Sequence, residues 1–64
     1  MRHTEFWMLM DAALGEASSR SWAELTVIGE LGSRTPKEAI DAGEPPKIVW
    51  AAVWRHLELP ESWR

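Results

Sequence analysis

Along this chain, large apolar side chains recur at helical spacing in four stretches, and glycines and prolines separate them. In the first stretch, Phe6, Leu9, Met10, Ala13 and Leu14 follow the i, i+3, i+4, i+7, i+8 pattern of one wide helix face. Thr4 stands in an N-cap position, Glu5 sits beside the positive end of the helix dipole, and Gly15 closes the run. Trp7 flanks the face and Met8 falls further out, so Trp7 either covers the edge of a core or forms an exposed patch with Met8. In the second stretch Ser21-Trp22-Ala23-Glu24 has the form of a capping box, and Trp22, Leu25, Ile28 and Leu31 step round one face until Gly32. Serines at 18, 19 and 21 offer competing caps, which leaves an earlier start open; Ser21 is the preferred one. Leu25-Thr26-Val27-Ile28 is β-prone, but a lone strand has no partner elsewhere in the sequence, so the helix is expected to run through it.

The strongest local signals lie between Thr35 and Leu57. The Thr35 hydroxyl is placed to accept from the amide of Glu38 while the Glu38 carboxylate reaches back to the amide of Thr35. Pro36 occupies the first helical position, where its missing N–H costs nothing, and Gly43 supplies the left-handed residue that closes the helix after Ala42. Glu44 falls in the turn, and Pro45 or Pro46 opens the next helix. At 100° per residue, Val49, Trp50, Val53 and Leu57 share a sector of roughly 100° that should face the core. Lys47, Ile48, Ala51 and Arg55 lie opposite, with Trp54 on the border. Beyond Leu57, Pro60 stops the helix, and Leu59 and Trp63 either fold back as a clasp or belong to a loose tail.

The pattern therefore predicts one all-α domain, a compact bundle of four short helices at about 5–14, 21–31, 36–42 and 46–57. Its expected core is Phe6, Leu9, Met10, Leu25, Ile28, Leu31, Ile40, Val49, Trp50, Val53 and Leu57. Composition narrows what can stabilise it. Sixty-four residues lie near the lower limit of independent folding, and with no cysteine neither a disulfide nor a thiolate metal site can staple the chain. The five tryptophans, or a second subunit, must supply the missing contact area, so a homo-oligomer stays open. A formal charge of −3 gives no general attraction to nucleic acid or to an anionic membrane. No apolar run reaches the roughly 20 residues that span a bilayer, and the first residues lack the organisation of a signal peptide, so the expected location is the cytoplasm.

Residues 35 to 57 also resemble a helix-turn-helix, with Ala39, Gly43 and Val49 at the spacing of the small residue, turn glycine and buried aliphatic that lock such helices together. On that reading the helix from Pro46 is the recognition helix, presenting Lys47, Ile48 and Ala51, with Arg55 further on, to the major groove. Against it, Glu44 replaces the usual apolar turn residue, and Lys37, Lys47 and Arg55 are matched by Glu38, Asp41 and Glu44. A segment so balanced lacks the phosphate affinity that supports binding at physiological salt. The plainer alternative is close packing of two helices through Ala39 and Gly43. His3 and His56 stand at opposite ends of the chain without a carboxylate at i+4, and neither a glycine-rich phosphate loop nor a nucleophile elbow is present. No catalytic, metal-binding or cofactor-binding residue is expected.

Phe6-Trp7, Met10-Asp11, Gly15, Leu31-Gly32, Arg34-Thr35, Glu38-Ala39-Ile40, Gly43, Val49-Trp50 and Leu59-Pro60, taken with their spacing, resemble a family of short actinobacterial proteins classed as a domain of unknown function. The resemblance spans nearly the whole chain. It implies a small helical cytoplasmic protein with no catalytic residue or cofactor to carry over. Trp54 and the Glu44-Pro45-Pro46 turn fit the pattern less well, so a role for them rests on physical chemistry. The expected function is a protein-binding module without catalysis, its contact surface formed by Lys47, Ile48, Ala51, Trp54 and Arg55; the alternative is DNA binding through helix 46–57.

Overall fold

A computed structural model describes residues 1–64. Four helices, α1 (His3–Leu14), α2 (Glu16–Leu25), α3 (Pro36–Asp41) and α4 (Pro46–His56), form an all-α bundle, with short 3₁₀ turns at Gly29–Leu31 and Glu61–Trp63. α1 packs on α2 and α4, α2 on α3, and α3 on α4, while the Gly29–Leu31 turn touches α4. No helix is long and apolar enough to cross a membrane.

α1 starts two residues earlier than expected because its cap is not Thr4. The Glu5 carboxylate accepts the backbone N–H of Arg2 at 3.0 Å, which fixes the entry at Arg2 and puts Thr4 inside the first turn. Gly15 ends the helix as expected: at φ 89° and ψ 139° it occupies a conformation open to glycine, its N–H donates to Asp11 O at 2.8 Å, and its own carbonyl accepts the first bonds of the next helix, from Ser18 and Ser19.

α2 corrects the reading of residues 16 to 31 at both ends. It begins at Glu16 rather than Ser21, since Ser19 is fully buried and its hydroxyl donates to the Asp11 carboxylate, holding this segment helical against α1. It stops at Leu25, and Thr26 turns extended at φ −89° and ψ 116°. The β-prone run has a partner after all: the N–H of Ile28 donates to the carbonyl of Arg34 at 3.0 Å in a single antiparallel bridge. Ile28 and Leu31 still reach the core, through the extended residue and the 3₁₀ turn, but Leu25 does not: it is 79% exposed.

The second half follows the sequence closely. Glu38 N–H donates to Thr35 Oγ1 at 3.1 Å and Thr35 N–H to Glu38 Oε1 at 2.9 Å, the reciprocal pair expected of the box. After Ala42, Gly43 at φ 93° lets its N–H reach Ile40 O (3.1 Å) and that of Glu44 reach Ala39 O (3.0 Å), which satisfies the last carbonyls of α3. The Glu44 side chain, out of place in an apolar turn, accepts from Arg34 Nη2 at 2.8 Å, and Arg34 Nε donates to Leu31 O at 2.7 Å. One arginine thus ties the 3₁₀ turn to the α3–α4 turn.

Phe6, Met10, Ile28, Leu31, Ile40, Val49, Trp50 and Val53 are buried as expected, and Leu9 and Leu57 pack half-buried against them. Ala23, Ala39 and Ala52 complete the core and lay outside the expected set. Ala52 extends the buried sector of α4 away from Trp54, which helps to leave that indole at the rim.

Candidate functional site

The outward face of α4 is built by a helix whose other side is fixed in the core by Val49, Trp50, Ala52 and Val53. Of the five residues expected to form a contact surface, four come together. Lys47, Ala51, Trp54 and Arg55 line one cleft of about 490 Å³ with Trp50, Met1, Glu5 and Arg64. Ile48 does not line it: 54% exposed, it stands apart at the start of α4. The walls added by α1 and by the tail could not be read from the periodicity of α4, because they depend on how three separate segments pack.

Trp54 is half-buried, neither fully enclosed nor free. Its indole N–H donates to Pro60 O at 2.9 Å, and the Arg64 guanidinium carbon lies 5.5 Å from its ring centroid. One turn earlier, the Trp50 N–H donates to Trp63 O at 3.1 Å. The tail therefore folds back as a clasp, with Leu59 and Trp63 packed half-buried on the core.

The tail's path begins at the end of α4. Leu57 is the C-cap, Glu58 takes the left-handed conformation at φ 55°, the N–H of Glu58 donates to Arg55 O (3.2 Å) and that of Leu59 to Trp54 O (3.1 Å). This repeats the bond pattern that ends α3, with glutamate where α3 has glycine.

Most cations near the α3–α4 segment are engaged inside the chain. Arg55 places Nε and Nη2 on Glu30 Oε2 at 2.8 and 2.5 Å, Lys37 pairs with Asp41 at 2.5 Å, and Arg34 pairs with Glu44. The Arg55 bonds hold the Glu30 carboxyl below its ordinary pKa and raise that of Arg55. Lys47 is exposed and enters no ion pair. His56, in the last turn of α4, meets the Trp22 ring edge-on at 5.9 Å. Trp7 covers the core's edge, edge-on to Phe6 at 5.0 Å and under the Arg20 guanidinium at 4.0 Å, whereas Met8 is 69% exposed.

No curated protein and no solved structure matches the chain. A family model does, over residues 1–62, and it covers all four helices and all but the last two residues of the tail. The chain belongs to the family described as Protein of unknown function (DUF3046).

Proposed function

We propose that this chain is a protein-binding module without catalytic activity, whose contact surface is the cleft on the outer face of α4. The observation that carries the reading is the placement of Trp54: half-buried, fixed in orientation by its bond to Pro60, with one side of the cleft formed by Lys47, Ala51 and Arg55. A tryptophan held rigid at the edge of a concavity loses little conformational freedom on binding, and tryptophan and arginine are the side chains most enriched among interface residues that dominate affinity. The ion pairs support a protein rather than DNA as the partner. Arg55 and Lys37 are already neutralised within the domain, which leaves Lys47 as the one unpaired cation of the α3–α4 segment.

Selection of peptides from a random displayed library on the immobilised full chain tests the reading. Ala51→Arg fills the cleft with a long helix-compatible side chain. Enriched peptides should bind the wild type and lose at least tenfold in affinity to this variant. Peptides indifferent to Ala51→Arg, or no enrichment at all, would remove the cleft as a contact surface.

A further inference from the structure

Charge is spread unevenly over this domain. The lining of the α4 cleft holds three of the chain's seven lysines and arginines, Lys47, Arg55 and Arg64, but one of its ten carboxylates, Glu5. A chain of net charge −3 thus carries a cationic concavity. At physiological salt the screening length is about 8 Å, well short of the domain's extents of 25 × 24 × 21 Å. An approaching group therefore senses the lining of the cleft more than the charge of the whole chain.

Two of these cations are open to a partner. Lys47 is exposed and enters no ion pair. Arg64 lies over the Trp54 ring, and its pair with Glu61, at 3.3 Å between two exposed side chains, holds it weakly. Arg55 is engaged by Glu30 through Nε and Nη2, while its Nη1 makes no hydrogen bond. Lys47 and Arg55 stand eight residues apart on α4, about 12 Å along its axis, with Ala51 midway between them. An apolar side chain seated on Ala51 thus has a cation on either side. Glu5 also borders a second, shallower hollow on the outer face of α1, formed with Met8, Leu9 and Ala12. The two concavities share Glu5 as a wall, so the surface runs from a cationic end on α4 to an apolar end at the exposed Met8.

We propose that the α4 cleft takes an acidic amphipathic segment of a partner protein, its carboxylates on Lys47 and Arg64 and its apolar side chains over Ala51 and, past Glu5, on Met8 and Leu9. The inference rests on the reading of the cleft as a protein-binding surface and specifies its partner's chemistry. Charge complementarity carries it: Lys47 and Arg64 attract carboxylates to one end, and Glu5 keeps them off the α1 wall, which sets the direction in which the segment lies. The apolar positions favour a protein segment over a bare polyanion, since Ala51, Met8 and Leu9 offer nothing to a phosphate. Because the cleft is filled as it stands, the tail stays in place and Trp54 keeps its bond to Pro60.

The test pans two displayed peptide libraries of equal apolar content on the immobilised full chain, one with Asp or Glu at its charged positions and the other with Lys or Arg. The acidic library should enrich and the basic one should not. Surface plasmon resonance on an enriched acidic peptide should show association slowed about tenfold by Lys47→Glu with Arg64→Glu, and slowed likewise by added salt. Lys47→Glu alone serves should the double variant fail to fold. A peptide with lysine in place of the glutamate that meets Lys47 should regain binding on Lys47→Glu, which a merely structural role for Lys47 would not produce. Ala51→Leu, which fills the floor without changing charge, and Met8→Ser should each weaken the acidic peptide. Enrichment from the basic library alone, or acidic peptides indifferent to Lys47→Glu, overturns the inference. Acidic peptides that ignore Ala51→Leu, or that duplex DNA of equal charge displaces as readily as unlabelled peptide, overturn the assignment to a protein segment. A wild-type dimer that Lys47→Glu dissociates overturns the assignment to another protein, since the occupant is then a second copy. If basic or neutral peptides bind and are lost in Ala51→Leu, the cleft stands as a contact surface and only the acidic partner fails; enrichment from neither library removes both.

Discussion

The Arg55 guanidinium sets two donors on one oxygen of Glu30, 25 residues away in sequence, and so joins the last half of α4 to the 3₁₀ turn that follows α2. Both side chains remain about half exposed, at 54% and 47%. The Glu30 carboxyl has a lowered pKa in the fold, chiefly from its hydrogen bond with Arg55, so the unfolded chain binds its proton more readily than the folded one. Its contribution to stability is present above the unfolded pKa, near 4.3 for a glutamate, and is lost as pH falls through the lower folded value. Glu30→Gln should therefore melt below the wild type at pH 7 and at the same temperature once both are acidified well below pH 4. The gap at pH 7 should also narrow in about 1 M salt, which screens exposed charges. A gap that persists unchanged at low pH would show that the variant acts through packing.

The same pair bears on DNA binding. With Arg55 neutralised and Lys37 paired to Asp41, the exposed face of α4 presents Lys47 alone among the cations of this segment without a partner. Phosphate contacts supply most of the affinity for nonspecific DNA, and one contact is too few. A duplex probe should show no gel shift at micromolar protein in about 50 mM salt. A salt-sensitive shift lost in Lys47→Glu would instead make α4 a recognition helix.

Leu25 and Ala23 test how the chain leaves α2. Leu25, 79% exposed, should tolerate Gln within about 0.5 kcal/mol, whereas Ala23→Leu forces extra methylenes into a fully buried site and should cost roughly 1–3 kcal/mol. Chemical denaturation of the two variants gives the comparison. Equal losses, or a large loss at Leu25, would mean that α2 continues past residue 25 in solution.

That segment also marks where sequence reasoning runs out. Thr35, Pro36, Glu38 and Gly43 announce α3 because each acts on its immediate neighbours, and the structure forms the bonds they imply. The start and end of α2 depend on distant partners: Asp11 for Ser19, and Arg34 for Ile28. A helix-face count of large apolar side chains cannot see either, and it leaves alanine out of the core, although Ala23, Ala39 and Ala52 are all buried there. At the cleft, the angles on α4 placed Lys47, Ala51, Trp54 and Arg55 together, while Met1, Glu5 and Arg64 arrive only through tertiary packing.

Glu58 offers a stabilising substitution. At φ 55° it holds the left-handed position that Gly43 holds after α3, and a side chain there carries a steric cost of about 1–2 kcal/mol, part of which glycine's larger entropy loss offsets. Glu58→Gly should raise stability by roughly 0.5–1 kcal/mol, which for a domain of this size lifts the midpoint of thermal unfolding by about 4 °C. A lowered midpoint would show that the Glu58 side chain makes a contact worth more than its strain.

Trp50 and Trp54 should separate cleanly, although both indoles donate to the tail. Trp50 is 3% exposed, so Trp50→Ala removes a core aromatic and should cost about 3–5 kcal/mol. A 64-residue domain has a total stability of roughly 3–10 kcal/mol, so this variant should lose most or all of its cooperative melt. Trp54 is half-buried at the rim. Trp54→Phe isolates its N–H bond to Pro60 and should cost about 0.5–1.5 kcal/mol, while Trp54→Ala adds the lost packing of Arg64 and the tail yet should still unfold cooperatively. The Trp54 losses should also be local. Amide hydrogen exchange in Trp54→Ala should accelerate at Trp63 and Arg64, whose N–H groups close the last turn of the clasp, and stay protected along α1 and α3. If Trp54→Ala instead melts as low as Trp50→Ala, with protection lost throughout, Trp54 belongs to the core, and the cleft loses the anchor on which a binding role depends.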